Sequence, residues 1–172
     1  MRTIRRSVYI GLGGTGIKAI AHVKKMYEDV FGYDIPRQIA FVAIDFDKHI
    51  VIDRSHPTSI DVNFITLLHL KPQTEYFAAK EHGALSWMFP GNEKYIPDCI
   101  GNGACQVRTT GRWLTELNMS AIRSRIDYAM CQVNDMMPPS DEYSVDPDPR
   151  VDVHIATPLA GGTGSGSFIN VA

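Results

Sequence analysis

The sequence predicts an α/β domain built on a parallel sheet with helices on both faces. Three observations predict it. A glycine run, Gly11-Leu12-Gly13-Gly14-Thr15-Gly16, follows a short apolar stretch and opens a helix-like one. A second run, Ala160-Gly161-Gly162-Thr163-Gly164-Ser165-Gly166-Ser167, has the same setting near the other end of the chain. Between them, Gln38–Phe46 is a continuous apolar run, the pattern of a strand covered on both sides.

The elements follow in order. Ser7–Ile10 reads as a short buried strand and Gly11–Gly16 as the turn after it. In Ile17–Phe31 the apolar residues Ile17, Ile20, Ala21, Val23, Tyr27, Val30 and Phe31 share a broad helical face, with Gly32 as the stop. With the strand at Gln38–Phe46 this makes a βαβ unit, whose crossover is right-handed. Ile60–Leu70 has room for a short strand or a helical turn. Pro72 is a good first helical residue for Gln73–Met88, and Phe89-Pro90-Gly91-Asn92 breaks the chain there. Tyr95–Ala104 reads as a loop. Val107–Met137 reads as one long helix ended by Pro138 and Pro139. Ser140–Arg150 is acidic and proline-bearing, the composition of a mobile surface loop. Val151–Ala156 is the next strand, and a helix begins at Ser165.

Composition narrows the function. One domain is expected for 172 residues, and 44% apolar with 21% charged residues is ordinary for a globular protein. A net charge of −2 gives no direct signal for nucleic acid or an anionic membrane. No apolar stretch approaches the ~20 residues of a membrane-spanning helix, and the apolar run after the basic first residues breaks at Gly11, unlike a signal peptide. The cysteines, Cys99, Cys105 and Cys131, form no CxxC pair and are odd in number, which fits free thiols in a reducing cytoplasm. The six histidines show no zinc-ligand spacing.

The glycine runs carry the chemistry. A helix N-terminus presents unpaired N–H groups and a partial positive charge, so an anion is stabilised there without a basic side chain. Glycine lets the backbone approach a phosphate closely, and the hydroxyls of Thr163 and Ser165 offer further donors. Neither run is a Walker A loop: Ile17 follows Gly16, and Ser167 follows Gly166, where that motif needs lysine. Gly11, Gly13 and Gly16 fit a dinucleotide fingerprint, but its acidic partner is expected ~20 residues on. Asp45 lies well beyond that, and the second run has no place in the scheme. Arg108 and Arg112, four apart, fit a solvated or ion-paired helix face better than a phosphate site. Trp87, Phe89 and Tyr95 fit core packing better than base stacking.

Together the motifs resemble the tubulin superfamily, which includes tubulin and bacterial FtsZ. Ala160–Gly166 resembles its signature phosphate loop, G-G-G-T-G-[ST]-G, with Ala160 replacing the first glycine. The opening run resembles the first nucleotide loop. Phe41–Asp47 is similar to the strand and second loop, and Gly101-Asn102-Gly103-Ala104 to the third. The glycine-threonine first loop and the long insertions look most like divergent prokaryotic tubulin-like proteins.

The resemblance implies a Rossmann-like GTPase domain that binds GTP or GDP with Mg²⁺. Ala160, Gly161, Gly162, Thr163, Gly164, Ser165 and Gly166 would wrap the phosphates. Gly11, Gly13, Gly14, Thr15 and Gly16 would approach from the other side, with Lys18 adding a cation. Asp45 and Asp47 would lie near the nucleotide and its Mg²⁺, and Gly101, Gly103 and Ala104 near the γ-phosphate. It also implies that residues 1–172 are the N-terminal portion of the domain. The catalytic acid, the guanine-reading residues and the polymer-forming second domain would lie beyond Ala172, and partners would be further copies of the full-length protein in a filament. Two other classes fit the glycine runs: an NAD(P)-binding module of an oxidoreductase, and a non-catalytic interaction domain.

Overall fold

The computed structural model describes residues 2–32, 34–46, 65–67, 86–88, 91, 103–104, 106–135 and 142–172. Its elements are β1 (Arg2–Ile4), β2 (Ser7–Leu12), α1 (Gly13–Phe31), β3 (Ile39–Asp45), β4 (Ile65–Leu67), α2 (Arg108–Leu117), α3 (Met119–Val133), β5 (Tyr143–Val145), β6 (Asp152–Ala156) and α4 (Gly162–Val171). The main sheet is parallel with order β4-β3-β2-β6. The segment Ile60–Leu70, open between strand and helix in the sequence, contains strand β4. The helix expected over Gln73–Met88 lies largely outside the described residues, apart from a turn at Ser86–Met88.

Alternation along the strands sorts side chains to two cores. Val8, Ile10 and Leu12 of β2 and Ala40, Val42 and Ile44 of β3 pack with Trp113 and Leu114 of α2 and Ile122, Ala129 and Val133 of α3. Ile39, Phe41 and Ala43 of β3 face the other way and pack with Ile17, Ile20 and Ala21 of α1. The sheet is therefore covered on both sides, as the apolar run at Gln38–Phe46 predicts.

The long helix expected over Val107–Met137 is two helices. At Asn118 the backbone leaves the helical region (φ −110°, ψ 12°). Its buried side-chain amide donates to Leu114 O at 2.8 Å. Asparagine competes with the helix ladder in this way. The break lets α2 lie against α4 while α3 lies against β2 and β3.

A second departure lies in the acidic segment. Within Ser140–Arg150, read from sequence as a loop, Tyr143–Val145 pairs in parallel with Arg2–Ile4. Basic residues hold the acidic chain there. Arg6 donates to the carbonyls of Asp146 and Asp148, both at 3.0 Å, and Arg5 pairs with Asp146 and Asp152, both at 3.3 Å. Hydrogen bonds from the Arg150 side chain and backbone pull the Asp148 carboxyl down from 3.8 to about 2. A depressed folded pKa contributes stability above the unfolded value that is lost as pH falls through the folded one. Asp148→Asn is therefore expected to lower Tm at neutral pH, with the difference from the parent chain fading between pH 3.8 and about 2 in thermal melts. A constant difference across that window would contradict the pairing.

Candidate functional site

Parallel strands end on a common edge, and here the register aligns Leu12 with Ile44 and Gly11 with Ala156. From β2 the chain steps outward to β3 and β4, then returns through α2 and α3 to β6 on the other side of β2. Strand order thus reverses between β2 and β6. Connections diverge to opposite faces at such a point and leave a crevice at the carboxyl ends of the strands. Both glycine runs sit there.

The first run is tighter than a six-residue turn. Strand β2 continues through Leu12, and α1 begins at Gly13, so Gly14, Thr15 and Gly16 already lie in its first turn. Gly13 carries the reversal with φ +71°, a region that penalises any Cβ. A Cβ on Gly11 would sit 2.8 Å from Gly16 O, and one on Gly16 would run into the carbonyl oxygen of Ala156. These glycines let α1 start with its backbone directly on β2 and β6. Gly14, Thr15 and Lys18 are exposed.

The second run likewise lies in a helix. Gly161 is the N-cap, and Gly162–Gly166 form the start of α4. A Cβ on Gly162 would lie 2.8 Å from both Ala104 O and Val107 N, and one on Gly166 would meet Arg108 O. On the facing helix, a Cβ on Gly111 would meet Gly162 O. Helices α2 and α4 therefore touch backbone to backbone. Gly103 (φ +74°) and Ala104 are buried against this seam. Ala160 is exposed.

The two runs meet. A Cβ on Gly13 would lie 3.2 Å from Gly164 N, and one on Gly164 2.9 Å from Leu12 O. Asp45, at the end of β3, closes the group. Its Oδ1 accepts from Phe46 N at 2.7 Å and from Thr163 Oγ1 at 3.0 Å, and the carboxylate is buried. Its Oδ2 lies 3.9 Å from where a Cβ on Gly14 would stand. A carboxylate beside two helix N-termini is stabilised by their partial positive charge.

Several expectations change in detail. The hydroxyl hydrogens of Thr163 and Ser165 are both used internally, the first toward Asp45 and the second toward Gly161 O. Arg108 is not simply a solvated surface residue: its Nη2 donates to Leu159 O at 2.8 Å. Arg112 lies 4.2 Å over the Trp87 ring and bonds Glu116, which also accepts from Trp87 Nε1 at 3.2 Å. Asp47 and Gly101 lie outside the described residues. Two features had no signal in the sequence: the Asp45–Thr163 bond, and the buried hydroxyls of Thr109 and Thr110 in the first turn of α2. Those hydroxyls have no hydrogen-bond partner among the described residues.

The fold and this edge define a doubly wound α/β protein with three glycine-bearing segments gathered at its switch point. A family model described as tubulin like matches residues 8–172, and the chain belongs to the tubulin-like family. No curated protein and no solved structure matches the chain. Membership implies a nucleotide ligand in general terms and suggests self-association. Among the described residues, no helix is long and apolar enough to cross a membrane.

Proposed function

We propose that the chain is the phosphate-gripping part of a GTP-binding, filament-forming protein, with GTP or GDP held between the N-termini of α1 and α4. The observation that carries this reading is Gly14. Gly11, Gly13, Gly16, Gly162, Gly164 and Gly166 each have a packing or dihedral reason to be glycine. Gly14 has neither: it is exposed, its φ is not positive, and among the described residues a Cβ there would meet nothing closer than 3.9 Å. Glycine is a poorer helix former than alanine, by about 1 kcal/mol in a helix interior. Close approach of a ligand to the backbone is the reason that remains.

The chain's own residues then have these roles. The free N–H groups of the first turns of α1 and α4 donate to phosphate oxygens, and Gly14 leaves the space for them. The hydroxyls of Thr109 and Thr110, without a hydrogen-bond partner among the described residues, are further polar groups on the helix that faces the second run. Lys18 supplies a mobile cation at the rim. Asp45 is the carboxylate that would hold Mg²⁺ beside the phosphates, since that ion is usually bound through one or two protein carboxylates together with phosphate and water. Bound Mg²⁺ would neutralise phosphate charge. Asp47, Gly101, Gly103 and Ala104 complete the proposed contacts to metal and γ-phosphate. For hydrolysis, a neighbouring subunit would supply the acid, in a cytoplasmic filament of prokaryotic type.

Thermal melts with GTP, GDP, ATP and NAD, each with Mg²⁺, test the reading. Binding to the native state alone raises stability by about 2.7 kcal/mol at a hundred times Kd. A rise in Tm with GTP and GDP is expected. A rise with NAD alone would favour an oxidoreductase module, and no rise at millimolar nucleotide a non-catalytic interaction domain.

A further inference from the structure

We infer that Arg108 is a positioning residue for the second glycine run, an inference that rests on the nucleotide reading above. Thr157–Gly161 joins β6 to α4 and sets the direction in which α4 begins. Its middle has little packing of its own: Leu159 is 76% exposed and Ala160 is also exposed. The Arg108 guanidinium donates to Leu159 O at 2.8 Å from 51 residues away in sequence. The backbone of the same residue is fixed to α4, because Arg108 O lies against Gly166. Arg108 thus ties both the approach to α4 and its second turn to the start of α2.

The geometry explains why this matters for a ligand. The N–H groups at the start of α4 point at an anion only if the N-cap, Gly161, keeps its extended backbone (φ −81°, ψ 155°). Glycine alone does not enforce that conformation. The Ser165 hydroxyl donates to Gly161 O, and the Pro158 ring lies 3.1 Å from where a Cβ on Gly161 would stand. Arg108 holds the carbonyl two residues upstream. Ordering the run before the ligand arrives removes an entropic cost from binding. Arg108 acts through the loop, not on the phosphates.

The test compares Arg108→Ala and Arg108→Lys with the parent chain in nucleotide titrations and in amide hydrogen exchange without ligand. Arg108→Ala is expected to weaken GDP and GTP alike, by about tenfold, the scale of one charge-assisted hydrogen bond. Exchange should rise across residues 159–164 with Tm little changed. Lysine keeps a cationic donor on a long side chain and should restore part of the affinity and protection. Unchanged exchange in Arg108→Ala would overturn the inference. So would a loss much larger for GTP than GDP, which marks a direct phosphate ligand. If the parent chain binds no nucleotide yet exchange rises in Arg108→Ala, the nucleotide reading fails while the loop restraint stands.

Discussion

Gly16→Ala is expected to destabilise the chain by about 2–4 kcal/mol, although alanine is the better helix former by about 1 kcal/mol. The added methyl would run into the carbonyl oxygen of Ala156 and crowd the carbonyl carbon of Gly11 at 3.3 Å. Both obstacles are backbone atoms of adjacent strands, so no side chain can turn aside. Relief requires lifting the first turn of α1 from β2 and β6, which exposes Ile17, Ile20 and Ala21 beneath it. For a chain of this size each kcal/mol lowers Tm by roughly 2–4 °C, so a melt should show a fall of about 4–16 °C. A Tm equal to that of the parent would mean that α1 and β6 are not in backbone contact.

Gly14→Ala, two residues earlier in the same turn, should do the opposite. Among the described residues its methyl meets nothing closer than 3.9 Å, so Tm should hold or rise slightly. Nucleotide affinity should fall by tenfold or more, because the methyl occupies the volume beside Asp45 where a phosphate or its Mg²⁺ would lie. Titration and melting on one sample separate the two effects. Retained affinity for GTP and GDP would remove the main support for the proposed site. If both results hold, the pair divides the run by role: Gly16 serves the fold and Gly14 the proposed ligand.

The sequence reveals the frame of the molecule more clearly than its contacts. The apolar run at Gln38–Phe46 and the spacing of Ile17, Ile20 and Ala21 report burial directly, and burial decides the layers. The glycine spacing likewise marks both turns, though it overstates their length, since a glycine inside a helix start looks like a loop glycine. Strands β1 and β5 carry no such signal: each has three residues, and they pair through backbone and flanking charges. The break at Asn118 depends on one side-chain bond within an otherwise periodic stretch. Long-range polar contacts were also hidden. Thr163 and Asp45 are 118 residues apart, and only the finished sheet brings them together.

The glycine seam between α2 and α4 has a mechanical consequence. Side-chain layers between helices absorb small shifts by changing rotamer. Where Gly111 faces Gly162 and Gly166 faces Arg108 O, no such cushion exists. A displacement of the second run is therefore expected to carry into α2 with little damping by side chains. From there it reaches the stacked Arg112–Trp87 pair and its shared acceptor Glu116. A change in Trp87 fluorescence on adding nucleotide, absent when Trp87 is replaced by Phe, would be the expected mark of such a linkage.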